Sequence, residues 1–222
     1  MKTKLALAAF VVPVGFATVV AFHPGLAYAE PTFAQPGAEI SFQNTGAYTL
    51  DPAHTSVGFE IEHLGISHVQ GRFSKVSGSL FADPKNLAAS NIQVTIPVET
   101  VDTAVAPRDT HLKSPDFFDA AKFTEITFKS TKISKKGKGY VAEGDFTMKG
   151  VTKKVSIPFR VFGPITDPWK NSRIGIVADP IKLNRQDYGI AYNDKLPDGT
   201  PAVGNEVTIK LSVEATLDKP KG

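Results

Sequence analysis

From Ala47 onward, apolar side chains recur at every second position over most of the chain, the period of a strand with one buried face. Tyr48-Thr49-Leu50 leads into the turn signal Asp51-Pro52, and Val57, Phe59 and Ile61 then alternate with Gly58, Glu60 and Glu62. Phe73 is followed by Val76, Gly78 and Leu80, a slip in phase that a β-bulge near Ser74-Lys75 accounts for. Ile92, Val94, Ile96 and Val98 form the clearest strand of the first half. Ile126 and Phe128 open another, which turns at Lys135–Gly139 and returns with Tyr140, Ala142, Gly144, Phe146 and Met148 on one face. A tight turn at Lys149-Gly150 leads to Val155, Ile157, Phe159 and Val161. Breaks are expected at Gly163-Pro164 and Asp167-Pro168-Trp169, followed by Ile174 and Ile176. A last long strand carries Val207, Ile209, Leu211, Val213 and Ala215.

The alternation stops only between Arg108 and Asp119. Pro107 and Ser114-Pro115-Asp116 supply helix-start chemistry there, with Ser114 expected to cap the turn that follows it. Phe117 and Phe118 place two rings side by side, one to close a barrel end and the other to pack beneath the connection. About eight strands and one short helical insertion predict an all-β, antiparallel domain. A sandwich and a closed barrel both satisfy this count. Closure is preferred, because the long last strand would otherwise leave an edge open to other chains.

The amino terminus reads differently. Lys2 and Lys4 precede an apolar run from Leu5 to Phe22 interrupted by Pro13 and Gly15, and Ala27-Tyr28-Ala29 follows as a small-residue cleavage site. The organisation expected is a signal peptide over 1–29, a flexible leader over 30–46, the β-domain over 47–218 and a tail over 219–222. Cleavage lowers the formal charge from +3 to +1, which leaves no basic stripe for nucleic acid. With no cysteine in the chain, an exported domain holds together by its core alone, without thiolate chemistry or disulfides.

Candidate chemistry is sparse. His54, His63, His68 and His111 have no metal-ligand spacing, so no metal is expected, and no nucleophile motif points to an enzyme. Arg108 and His111 share one face of a helical turn, suited either to a ligand's head group or, for Arg108, to pairing with Asp109, Asp116 or Asp119. Arg185 and Asp187 read as a structural ion pair. Trp169 reads as either a ligand contact or a turn anchor.

The ordered set Asp51-Pro52-Ala53-His54-Thr55-Ser56, His63-Leu64-Gly65, Gly71-Arg72-Phe73, Arg108-Asp109-Thr110-His111-Leu112, Asp116-Phe117-Phe118-Asp119, Gly150-Val151-Thr152, Asp167-Pro168-Trp169 and Arg185-Gln186-Asp187-Tyr188-Gly189 resembles the YceI-like, polyisoprenoid-binding periplasmic proteins. The resemblance spans roughly Tyr48 to Leu217, with departures at Lys170-Asn171, where glycine is usual, and at Tyr188, where phenylalanine is commoner. It implies a lipocalin-like, extended eight-stranded antiparallel barrel that holds a long isoprenoid lipid and has no catalytic activity or cofactor. The expected tail contacts are Phe59, Ile61, Phe73, Val94, Ile96, Phe117, Phe118, Phe128, Phe146, Phe159, Ile176, Ile209 and Leu211, with Arg108, His111 and Trp169 for the head group. From pattern alone the same residues suit a dry, interlocked core equally well. A lipid-modifying enzyme and a solid-core assembly module are the alternatives. Expected partners are the lipid, a second copy of the chain and, transiently, a membrane; the expected location is the periplasm.

Overall fold

The computed structural model of the protein describes residues 41–219. The expected signal peptide over 1–29, the leader's residues 30–40 and the tail's residues 220–222 lie outside the described residues.

β1 (Gly46–Leu50) and β2 (Ser56–His63) are two halves of one strand, stepped at a 3-10 turn over Pro52–His54. Asp51 makes that step by accepting a hydrogen bond from Ala53 N at 2.9 Å. β3 (Ser67–Phe73) and β4 (Ser77–Ala82) form the next strand, interrupted over 74–76 where the apolar phase slips. β5 (Asn91–Pro97) and the two-residue β6 (Val101–Asp102) form the third. The helix α1 (Ala106–Lys113) follows, then β7 (Glu125–Lys136), β8 (Gly139–Met148) and β9 (Val151–Thr166). β10 (Ser172–Ala178) and β11 (Ile181–Asn184) again share one course, and β12 (Val203–Leu217) ends the sheet.

Every neighbour is antiparallel, and each course pairs with the one before it in sequence. β12 then closes on the first course, Tyr48 opposite Leu217 in β1 and Phe59 opposite Ile209 in β2. The result is a closed, up-and-down, eight-stranded barrel with one short helix. Closure satisfies the long last strand on both sides, which removes the edge its alternation would otherwise expose.

The interior has two parts. At one end Phe42, Tyr140 and Phe159 pack ring against ring, Phe42 and Tyr140 at 5.0 Å and Tyr140 and Phe159 stacked at 5.5 Å, above Leu80, Ala82, Val161, Ile174 and Ala215. This end is solid. Phe42 is only 3% exposed, so the leader expected to be flexible as far as residue 46 is, from 41 on, part of the barrel plug. The other end surrounds a cavity.

Three further expectations are corrected. β9 runs unbroken through Gly163-Pro164, accommodated by a register shift opposite Arg173–Gly175, so the real break is the 167–171 turn. Ser114 ends α1 instead of capping the next turn: its N–H donates to His111 O at 3.0 Å, and its buried Oγ has no hydrogen-bond partner. The residues after it form turns, not helix. Among the described residues, no helix is long and apolar enough to cross a membrane.

Candidate functional site

The cavity has a volume of about 420 Å³, within the roughly 300–1,000 Å³ of small-molecule sites. Strand parity builds its wall. Val57, Phe59 and Ile61 of β2, Val69 and Phe73 of β3, Val94 and Ile96 of β5, Val155 and Ile157 of β9, and Val207, Ile209 and Leu211 of β12 all turn inward, as the two-residue period of a strand requires. Phe128 and Phe146 form its floor against the solid end. Gly71 lies on this inner face because Phe59 folds over it: a Cβ there would stand within 3 Å of the ring. The Gly71-Arg72-Phe73 motif thus gives one aromatic a seat and supplies the next, Phe59 and Phe73 lying 5.9 Å apart.

All of the expected tail contacts line this cavity except Phe159 and Ile176. Both face the barrel interior, but at the solid end, Phe159 under Phe42 and Ile176 against the same cluster. The paired rings divide their work. Phe118 packs inward against Phe73 at 5.8 Å, while Phe117 stays higher, 5.0 Å from both His111 and Tyr192.

Polar groups gather at the mouth, where Glu62, His63, Arg108, His111, Tyr192 and Asp194 join the lining. Arg108 does not pair with Asp109, Asp116 or Asp119. Its Nε donates to Thr103 Oγ1 at 2.7 Å and a terminal nitrogen to Thr103 O at 2.8 Å, while Asp109 accepts from the Thr103 N–H and hydroxyl. The arginine is therefore held in place through a neutral threonine. His111 meets Asp116 at 3.0 Å and is flanked edge-on by Phe117 and Tyr192. Tyr192 donates to Asp194 at 2.7 Å, and that hydrogen bond, with burial, pushes its phenol pKa up.

The ion pair expected between Arg185 and Asp187 does not form. Arg185 is 3% exposed, donating to the carbonyls of Gly204, Ile190 and Tyr192 at 2.7–2.9 Å, with longer contacts to Val203 O and Asn205 Oδ1. Residues two apart on a helical turn point apart. Asp187 reaches out to Lys153. Burial draws the Arg185 pKa below the usual guanidinium value, and the ring of carbonyls compensates the lost water. Trp169 is 72% exposed in the β9–β10 turn, off the cavity; its N–H donates to Asp167 Oδ1 at 2.9 Å, so it is a turn residue.

The four histidines do not converge. Among the described residues the one grouping with metal-ligand types is Asp51, His54 and Glu214 on the outer wall. Arg173 already fills that position, its guanidinium bonded to Asp51, Glu214 and Asp167. The Arg173 hydrogen bond, reinforced by His54, holds the Asp51 carboxyl well below the usual carboxylate range. A group depressed in this way adds stability above its unfolded pKa and loses it as pH falls toward the folded value. Asp51→Asn is therefore expected to lower stability by about 1–3 kcal/mol at neutral pH. Denaturant midpoints of the two proteins should converge as pH drops below about 4, where the unfolded carboxylate protonates.

An up-and-down barrel closed on itself, solid at one end and hollow behind a polar mouth at the other, defines a lipocalin-like architecture. Residues 48–215 match the YceI-like domain, and the chain belongs to the YceI-like family. It is 40% identical over 150 residues to a UPF0312 protein of Vibrio cholerae serotype O1, covering 66% of this chain and 79% of that one. The solved YceI protein of Campylobacter jejuni is 30% identical, with a TM-score of 0.59 over 80% of this chain and 100% of that one. A solved structure described as a polyisoprenoid binding domain from Saccharophagus degradans shares the fold with a TM-score of 0.60 at 15% identity, covering 78% of this chain and 99% of that one.

Among the cavity residues outside the expected set, Ile181 and Leu183 of β11 carry a sequence signal, the short alternation Ile181-Lys182-Leu183. Tyr192 and Asp194 sit in a loop and carry none.

Proposed function

We propose that this protein is a non-catalytic carrier of a long-chain isoprenoid lipid, a polyisoprenoid or isoprenoid quinone, whose tail occupies the cavity. The observation that carries the reading is the separation within one cavity: aliphatic and aromatic side chains below, Glu62, His63, Arg108, His111 and Asp194 at the rim, and the buried Arg185 of the lining engaged by the carbonyls of Ile190, Tyr192 and Gly204. A flexible hydrocarbon chain gains about 0.8 kcal/mol per methylene removed from water. Such a wall holds it without specific chemistry. The expected tail contacts other than Phe159 and Ile176 are the proposed wall, with Arg108 and His111 the proposed head-group contacts, and Arg108, held by Thr103 without an acid of its own, is suited to an acceptor oxygen. Membership of the YceI-like family and the description of the Saccharophagus fold neighbour as polyisoprenoid-binding support the same class of ligand.

The carrier works in the periplasm after cleavage behind Ala29, and it meets the membrane transiently to load. Amino-terminal sequencing of the mature protein should begin at Glu30; a soluble mature form retaining Met1 would overturn export. Mass spectrometry of an organic extract, made from protein purified from its native source, should reveal one long-chain isoprenoid species. An extract with no such species would count against the carrier reading.

A further inference from the structure

The barrel is closed by backbone hydrogen bonds at its solid end only. β9 pairs with β8 along its whole first half and with β10 from Phe159 onward, and the last rung on that side is Asp179 N to Pro158 O at 2.9 Å. Beyond it the strands part. β11, which continues the course of β10, pairs with β12 alone. No ladder joins it to β9 over 151–157, among the described residues. Two prolines stand where the sheet splits, Pro158 on β9 and Pro180 between β10 and β11, and neither has an N–H with which to extend pairing. The seam is bridged by side chains. Val155 and Ile157 from one lip and Ile181 and Leu183 from the other all line the cavity. Toward its end, Lys153 meets Asp187 at 3.3 Å and lies 6.0 Å from the Tyr188 ring centre, and Lys149 Nζ donates to Gly189 O at 3.2 Å.

We propose that this seam is a lateral portal through which the ligand's hydrocarbon chain enters and leaves the cavity. The inference rests on the carrier reading above. Parting two paired strands breaks a row of hydrogen bonds, whereas parting this seam breaks no strand ladder and exposes chiefly apolar side chains that the incoming chain itself covers. The mouth offers a poorer path. A hydrocarbon tail threading it would displace water from Glu62, His63, Arg108, His111 and Asp194 along its whole length. With a side entry, the head group stays at the rim while the tail slides in sideways. The Lys153–Asp187 pair, both side chains about half exposed, is a weak clasp suited to repeated opening.

Because the chain has no cysteine, a pair placed at Lys153→Cys and Asp187→Cys is the sole thiol pair, and a short bifunctional thiol reagent locks the lips together. The probe is an isoprenoid quinone offered in phosphatidylcholine vesicles, with both the loading rate and the final occupancy measured. Locked protein is expected to load at least tenfold more slowly than wild type and to reach the same occupancy. Lys153→Gln/Asp187→Asn, which removes the clasp without a lock, should load about two- to fivefold faster. Loading of the locked protein at the wild-type rate overturns the portal and leaves the carrier reading standing. Wild type that takes up no quinone at equilibrium overturns the carrier reading, and the portal with it.

Discussion

Replacing Arg185 with methionine is expected to destabilise the barrel by about 3–5 kcal/mol, because several buried carbonyls lose their donor at once. The side chain holds Ile190 and Tyr192 on one side and Gly204 on the other, so it ties the segment after β11 to the start of β12. That segment carries the Tyr192 rim of the cavity. Denaturant midpoints should fall without a change of slope, and amide exchange should speed most from Ile190 to Asn205. Arg185→Lys should recover little, since a single ammonium does not reproduce the planar fork of donors. Stability of Arg185→Met within about 1 kcal/mol of wild type would mean that the carbonyls find other partners and that the arginine is not the pin.

The role of Arg185 illustrates what the sequence does not disclose. Period-two alternation is local, so it reports which face of a strand a residue occupies, and the inward parity of Val57, Phe59 and Ile61 or of Val207, Ile209 and Leu211 is legible in the sequence itself. Height along the barrel axis depends on stagger between strands, which no single strand encodes. Phe159 and Ile176 therefore read as cavity wall although they pack in the solid end. Phe42 falls in a stretch too short and too rich in glycine and proline to show a period. Charged residues are the least legible. Arg173 finds Asp51 and Glu214 only through tertiary structure, whereas Arg108 turns back to Thr103 and Arg185 to the carbonyls of the loop after it and of Gly204, so the acids nearest Arg108 and Arg185 in sequence are a poor guide. The family resemblance supplies the choice between hollow and solid, which composition and spacing leave open.

Ile209→Asn is expected to lower affinity for a long-chain lipid by about 1–3 kcal/mol, roughly ten- to a hundredfold, while the barrel stays folded. Ile209 stands between Phe59 of β2 and Ile181 of β11, half-buried, with its side chain in the cavity wall. An amide there faces hydrocarbon when lipid is bound, and without lipid it borders open cavity space instead of closely packed side chains. A solid interior would behave differently: the same substitution would leave the amide among packed side chains and unfold the domain, and Ile209→Ala would cost about 2–5 kcal/mol with no ligand to lose. Thr208→Asn should be nearly silent, one position away on the outer face. Lys210→Asn should lose only its surface pair with Glu60.

The most direct measurement is the quantity of long-chain isoprenoid extracted per folded molecule, after exposure to isoprenoid quinones, for wild type and the Ile209→Asn, Ile209→Ala, Thr208→Asn and Lys210→Asn variants. Wild type, Thr208→Asn and Lys210→Asn should each hold about one lipid per folded chain, and folded Ile209→Asn clearly less. Folded wild type that yields no stoichiometric lipid, or an Ile209→Asn protein that binds as wild type does, would contradict a lipid-filled cavity.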